Sequence, residues 1–216
     1  MAPVFERDVT YHIYNQGNNG QLVFPDHAAY LLFLWKMRTY LPLYGHLLAW
    51  CLMSNHFHWQ FHVTRTAVPY DELQAHRQRV ECQRRRWKFG QQARLDLPPI
   101  VSQDKWITLN DAIGQCQRTY TRAMNPLMKR TGSLFRQGFK AQSGAIEEVL
   151  VGVNDYVLHK RNYEYTAFHY IHANARQAGL VKSDTDYLYS SARDYAGLRL
   201  GTLCNLEMGR QLLMYW

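Results

Sequence analysis

The order of strand-like and helix-like segments predicts an α+β fold: a split βαβ, ferredoxin-like or RRM-like antiparallel sheet with helices packed on one face. Three observations predict it. Residues 56–63 alternate strictly between polar and apolar side chains, the two-residue period of a half-covered strand. Two stretches, 26–40 and 108–127, switch to a three-to-four-residue period behind capping residues. Turn clusters and prolines cut the chain into the order β-α-β-β-α-β, with two helices after it.

The chain of 216 residues fits one domain, 1–216, carrying a basic insertion at about 64–105 and a packing tail at about 182–216. Apolar residues make up 47% and aromatics 14%, enough to bury a sizeable core. The formal charge is +8, which favours a polyanionic partner, most economically nucleic acid. Cys51, Cys82, Cys116 and Cys204 are scattered, without a C-x-x-C pair, as expected of reduced thiols in a cytoplasmic protein. The first eight residues lack the pattern of a signal peptide. The longest apolar cluster, 28–35, stops at Lys36, well short of a membrane span, so no membrane partner is expected.

Taken in order, Val9 to Asn15 is rich in β-branched and aromatic residues and runs into the turn cluster 16–20, a first strand. Asp26 caps a helix reaching about Tyr40, which Pro42 breaks. Leu43 to Met53 reads as a buried second strand. Ser54 and Asn55 turn the chain into the histidine strand as a hairpin. The insertion gathers Arg77, Arg79, Arg84, Arg85, Arg86, Lys88 and Arg94 around one acid, Glu81. Such runs are usually solvated helical faces. Here phosphate contact by Arg84, Arg85 and Arg86 is the functional expectation, with Trp87 and Phe89 free to stack on bases.

Thr108 and Asp111 form a capping-box pattern ahead of Leu109, Ile113, Cys116, Tyr120, Ala123 and Leu127, an apolar helical stripe that Pro126 kinks or ends. Arg118, Arg122 and Arg130 lie off that stripe. With Arg136 and Lys140 they are the other expected DNA-binding residues. A short strand follows around 139–142. Ser143 caps a helix through about Leu158, with Ile146, Val149, Leu150, Val153 and Val157 inward. A further helix starts near Asn162 and stops before Gly179, with Phe168, Ile171, Ala175 and Ala178 as one stripe and Tyr170 and Asn174 together on another. The Leu-rich C-terminus reads only as packing.

The residues themselves point to chemistry at one place. His56, His58, Gln60 and His62 share one strand face, and Phe57, Trp59, Phe61 and Val63 the other. Neighbours on a face stand roughly 6 to 7 Å apart. Two imidazoles at that spacing can lean onto one divalent ion while the aromatic face packs inward. Any half-exposed antiparallel strand alternates in the same way, so the pattern alone leaves both readings open. In the expected topology the first and third strands form the central pair. A helix crossing the sheet would then bring Tyr170 and Asn174 over the histidines.

These residues also carry a resemblance. His56-Phe57-His58 is similar to the HUH motif of single-tyrosine transposases. Tyr170-Ile171-His172-Ala173-Asn174-Ala175, followed by Ala178-Gly179-Leu180-Val181, resembles a segment of the REP-associated branch of that family. Tyr11 to Gly17, Arg130 to Arg136 and Ser190-Ser191 fit the same pattern. The similarity runs from Tyr11 to about Tyr195, leaving 64–105 as an unmatched insertion. H-x-H alone is weak, but all the segments in order are specific. Two positions depart: Ser54 stands where a proline commonly precedes Asn55-His56, and Ala175 where the family has a proline after Asn174.

The resemblance implies a metal-dependent single-stranded DNA endonuclease and strand transferase that cuts beside REP-like DNA hairpins, as a monomer or homodimer. It implies Tyr170 on the C-terminal helix as the nucleophile, a 5′-phosphotyrosine intermediate, and Mg²⁺ or Mn²⁺ held by His56, His58 and Asn174. Tyr156 and Tyr163 are rival tyrosines, while His62 and His172 fall outside the ligand set. The Ala175 departure favours an alternative, a non-catalytic binder of structured DNA descended from such an enzyme. An RNA-binding sheet is a weaker third reading: Tyr11 and Trp59 are present, but no RNP1 pattern is.

Overall fold

The computed structural model describes residues 2–90, 96–143 and 153–214. Its strands are β1 (Val9–Gln16), β2 (Gly45–Met53), β3 (His56–Val63), β4 (Ala67–Pro69), β5 (Trp106–Thr108) and β6 (Lys140–Ser143). Its helices are α1 (His27–Tyr40), α2 (Tyr70–Phe89), α3 (Leu109–Leu127), α4 (Val153–Gln177), α5 (Ala192–Tyr195) and α6 (Leu206–Met214). The main sheet has the order β2-β3-β1-β6 with every pairing antiparallel, so β3 and β1 are its centre, as the split βαβ pattern requires.

Local chemistry sets the boundaries. The Asp26 carboxylate accepts the Ala29 N–H at 2.8 Å and starts α1. Thr108 and Asp111 cap each other's backbone and start α3. One face of the sheet is covered by α1 and α3. Phe33 sits at the middle of this core, with ring centroids 5.4 Å from Phe57, 5.9 Å from Trp59 and 5.0 Å from Tyr120. On α3 the buried row is Leu109, Ile113, Cys116, Tyr120 and Met124. Ala123 and Leu127 do not belong to it, because the four-residue step from Tyr120 lands on Met124 and the last turn, with Pro126, projects past the core.

The other face is covered by α4. Ala49, Cys51 and Met53 of β2 pack there against Phe168, Ile171 and Ala175. A bulge between Leu47 and Ala49 reverses the alternation of β2, and because one core takes Leu47, Trp50 and Leu52 and the other Ala49, Cys51 and Met53, its sequence reads as one apolar run. Ala178, expected in the α4 stripe, is exposed.

The helix arrangement departs from expectation at one place. The two late helices, 143–158 and 162–178, are replaced by α4, which runs through His159 to Asn162 without interruption. That stretch holds neither proline nor glycine, and polar composition alone does not stop a helix. Ser143 ends β6; Ile146, Val149 and Leu150 lie outside the described residues. Gly179, at φ +71°, closes α4 with the Leu180 N–H on the Ala175 carbonyl and the Gly179 N–H on that of Arg176.

The insertion is pinched at its base by β4 pairing with β5, and its long helix α2 lies beside α1 with Leu73 and Val80 buried. The C-terminal tail docks on the β2 edge. There the Leu52 N–H donates to the Tyr189 carbonyl and the Ser191 N–H to that of Trp50, which occupies an edge that would otherwise be open to another strand. Cys51 and Cys116 are buried free thiols. No helix among the described residues is long and apolar enough to cross a membrane.

Candidate active site

Cross-strand register places His58 opposite Tyr14 and His56 opposite Gln16 on the face that α4 covers, with His12 opposite Gln60 on the same face. Tyr170 and Asn174, one helical turn apart, come down onto this patch. The Tyr170 ring lies 5.4 Å from the His58 ring and 5.9 Å from that of His12, edge-on to both. It remains 39% exposed, whereas Asn174 is buried. Asn174 Oδ1 stands 3.3 Å from His56 Nε2. The His56 and His58 rings are 5.0 Å apart and nearly perpendicular.

Burial keeps these imidazoles neutral. It lowers His58 to about 3, aided by its two histidine neighbours, and His12 to about 4. It lowers His56 too, against a smaller opposite pull from the Asn174 oxygen. His56 donates Nδ1–H to Asn55 Oδ1 at 2.6 Å. Its Nε2 lone pair therefore faces the Asn174 amide oxygen, another lone-pair atom. Two such donors at 3.3 Å repel unless a cation lies between them, and their spacing is close to the ~3 Å separating adjacent donors with bonds of about 2.1 Å to one ion. Among the described residues no three His, Cys, Asp or Glu side chains form a metal site; two imidazoles and the Asn174 amide oxygen are the donors that could hold an ion here. Such a set is neutral and leaves room for an anionic ligand.

The rival positions sort themselves by surroundings. Tyr163 Oη donates to Gln142 Oε1, and burial raises its phenol to about 12. The Tyr156 side chain lies outside the described residues. His62 meets the Thr10 hydroxyl at 3.1 Å. His172 is buried on another side of α4 with Nε2 at 2.7 Å from Ser191 Oγ. Tyr11 and Trp59, the candidate stacking residues of an RNA-binding sheet, are both buried in the opposite core.

The expected DNA-binding residues separate into groups. Lys140 is exposed and pairs with Tyr14, which in turn pairs with His58, so it stands two strands from the site. Arg136 is exposed beside Gln16, whose amide oxygen, suitably turned, takes its guanidinium. Asn15 fixes this corner by donating to Gln117 Oε1 and to the Arg136 carbonyl. Arg118, Arg122 and Arg136 line one cleft of about 670 Å³ between α3 and the loop after it. Arg130 is spent within that loop on Asn125 and Ser133. Arg84 and Arg85 are paired with Glu81 on α2, on the far side of the sheet, and Arg86 is exposed nearby; Arg94 lies outside the described residues.

The residue that sequence reasoning passed over is His12. Its Nε2 lies 2.8 Å from His58 Nδ1, with both rings buried. The available signal was the alternation of His12 and Tyr14 along β1, which places both on the His58 face once the strands are paired.

No protein-family model matches this chain, and no curated protein does. Among solved structures, the chain is similar to a REP-associated tyrosine transposase bound to a REP hairpin, with a TM-score of 0.49 and 12% identity over 94% of this chain and 88% of that one.

Proposed function

We propose that this protein is a metal-dependent single-stranded DNA nuclease and strand transferase acting beside hairpins, with Tyr170 as its nucleophile. The observation that carries this reading is the meeting of a phenol and a donor set: the Tyr170 ring 5.4 Å from His58, and Asn174 Oδ1 3.3 Å from His56 Nε2.

The Tyr170 oxygen attacks the scissile phosphorus and the bond from phosphorus to O3′ breaks. The phenol loses a proton and the departing O3′ gains one, so a 5′-phosphotyrosine and a 3′-hydroxyl result. Attack by a 3′-hydroxyl on the phosphotyrosine reverses the step and joins strands without an external energy source. Tyrosine suits both directions, because its phenolate serves as nucleophile and as leaving group. When bound by His56, His58 and Asn174, Mg²⁺ or Mn²⁺ supplies polarisation of a non-bridging phosphate oxygen. His56, fixed by Asn55, and His58, fixed on a central strand, hold that end of the site rigid. Lys140 and the Arg118–Arg122–Arg136 cleft provide positive charge along which a DNA strand can run.

Ala175 bears on the alternative of a binder that no longer cuts. The family proline is absent, yet α4 stays helical through this residue and Asn174 still faces His56. This favours the catalytic reading. The test is to incubate labelled hairpin DNA carrying a single-stranded flank with Mn²⁺ and look for a protein–DNA adduct stable to denaturation. Wild type forms it. Tyr170→Phe abolishes it, and His56→Ala lowers it at least 10-fold while hairpin binding persists. Adduct formation by Tyr170→Phe, or undiminished cleavage after chelation, overturns the proposal.

A further inference from the structure

The geometry points to His12 as a positioning residue: it accepts a hydrogen bond from His58 and thereby fixes which ring nitrogen of His58 keeps a lone pair for the cation. This rests on the function proposed above, since it assigns His58 the role of a donor. It concerns a residue to which neither motif nor spacing gave a role.

The contact between His12 Nε2 and His58 Nδ1 is 2.8 Å, a full hydrogen bond within the sheet. Two neutral imidazoles can share only one proton along such a line. If His12 donated, His58 would carry its proton on Nε2, and no lone pair would remain on that nitrogen. If His12 accepts, His58 is the Nδ1–H tautomer and Nε2 presents its lone pair. Only the second arrangement makes His58 equivalent to its partner His56, whose Nδ1–H goes to Asn55 Oδ1. The two imidazoles are then held by the same device: Nδ1–H tied to a neighbour, Nε2 left for the ion. A group that orients a metal-binding imidazole in this way typically changes metal affinity 10- to 100-fold when removed.

Position supports the assignment. His12 lies on β1, the strand directly hydrogen-bonded to β3, so the ring pair is mounted on the two central strands of the sheet. Its ring is also 5.1 Å from Tyr14 and 5.9 Å from Tyr170, so it packs against the nucleophile as well as the donor. A histidine needed only to fill space would not require a nitrogen at that point.

Nitrogen-15 NMR of the histidine rings in the full chain, free of metal and DNA, tests this directly. Wild-type His58 is expected as the Nδ1–H tautomer. His12→Phe keeps a ring of similar size without the acceptor, and is expected to move His58 toward Nε2–H. It should also weaken Mn²⁺ binding at least 10-fold by calorimetry without DNA. His12→Gln, whose amide oxygen reaches about as far as Nε2, should restore most of both. A wild-type His58 carrying its proton on Nε2 overturns the inference, as does a folded His12→Phe with unchanged tautomer and Mn²⁺ affinity. If His12→Phe does not fold, the wild-type tautomer and His12→Gln decide. The tautomer is read without substrate, so a correct tautomer with no covalent DNA adduct would count against the proposed function and leave this inference standing.

Discussion

Ser191 illustrates how much one side chain can hold. Its hydroxyl oxygen accepts the Trp50 N–H at 2.9 Å and lies 2.7 Å from His172 Nε2, joining the tail, β2 and α4 at a fully buried point. Ser191→Ala leaves a strand N–H and a buried imidazole short of a partner. It is expected to destabilise the fold by about 1–3 kcal/mol, read as a lower urea midpoint at unchanged slope. Had this serine been a passive surface residue, the midpoint would not move. At the same scale, sequence made some of the site visible and left the rest hidden. His56 and His58 stood out because a strand period of two repeats one residue type. Tyr170 and Asn174 stood out because a helical turn brings i and i+4 together. His12 did not, since its partner lies 46 residues away and only pairing reveals the contact.

Among the elements, those with chemical punctuation were legible. Asp26, the Thr108–Asp111 box, the Ser54–Asn55 turn and Gly179 each mark an end that the structure keeps. β4 and β5 were not, because three residues carry no measurable alternation. Two predictions belong here. Ala175→Pro would place the proline of the resembled family inside α4, where Ala175 is fully buried within a continuous helix. Losing its N–H and crowding the Ile171 carbonyl should destabilise the protein by about 3 kcal/mol, seen as a lower urea midpoint. On α2, Arg84 and Arg85 hold Glu81 well below its usual value of 4.5, at about 2. A depressed carboxylate stabilises the folded state above its unfolded pKa and ceases to do so as pH falls through 2. The gain, after solvent screening, is of order 1 kcal/mol or less at neutral pH. Comparing urea midpoints at pH 7 and pH 3, wild type should lose more than Glu81→Gln; equal losses would contradict the assignment.

For the molecule as a whole, the net charge of +8 is distributed unevenly in function. The Arg118–Arg122–Arg136 cleft lies between α3 and the loop after it, on the α3 side of the sheet, and Lys140 stands on the edge strand β6, two strands from His58. Arg84 and Arg85 are engaged by Glu81 behind α1. Hairpin binding measured across salt concentrations separates these regions. Arg118→Ala and Arg122→Ala are each expected to make the slope of log K against log[salt] shallower by about 1, and Arg84→Ala to leave it unchanged. A reversed ranking would move the DNA path to α2. Composition indicated a polyanionic partner but could not say which arginines were already paired, since the i,i+3 and i,i+4 spacing of Glu81 to Arg84 and Arg85 pairs them only once this stretch is one continuous helix.

The docking of α4 has a mechanical corollary. A helix from Val153 to Gln177 is about 36 Å long, and Tyr170 lies only about 10 Å from the end that Gly179, Ser191 and β2 clamp. The fixed part of the helix begins ahead of Tyr170, because Gln60 of β3 donates to the Glu164 carbonyl and Phe168 and Ile171 pack on β2 on either side of the phenol, so a displacement of the Val153 tip is taken up before it reaches the phenol. The aim of the nucleophile is therefore set where α4 lies against β2 and β3, and a cut in the loop between Gly179 and Ser190, whose far end holds β2 and His172, should spoil it more than a disturbance at the helix's far tip.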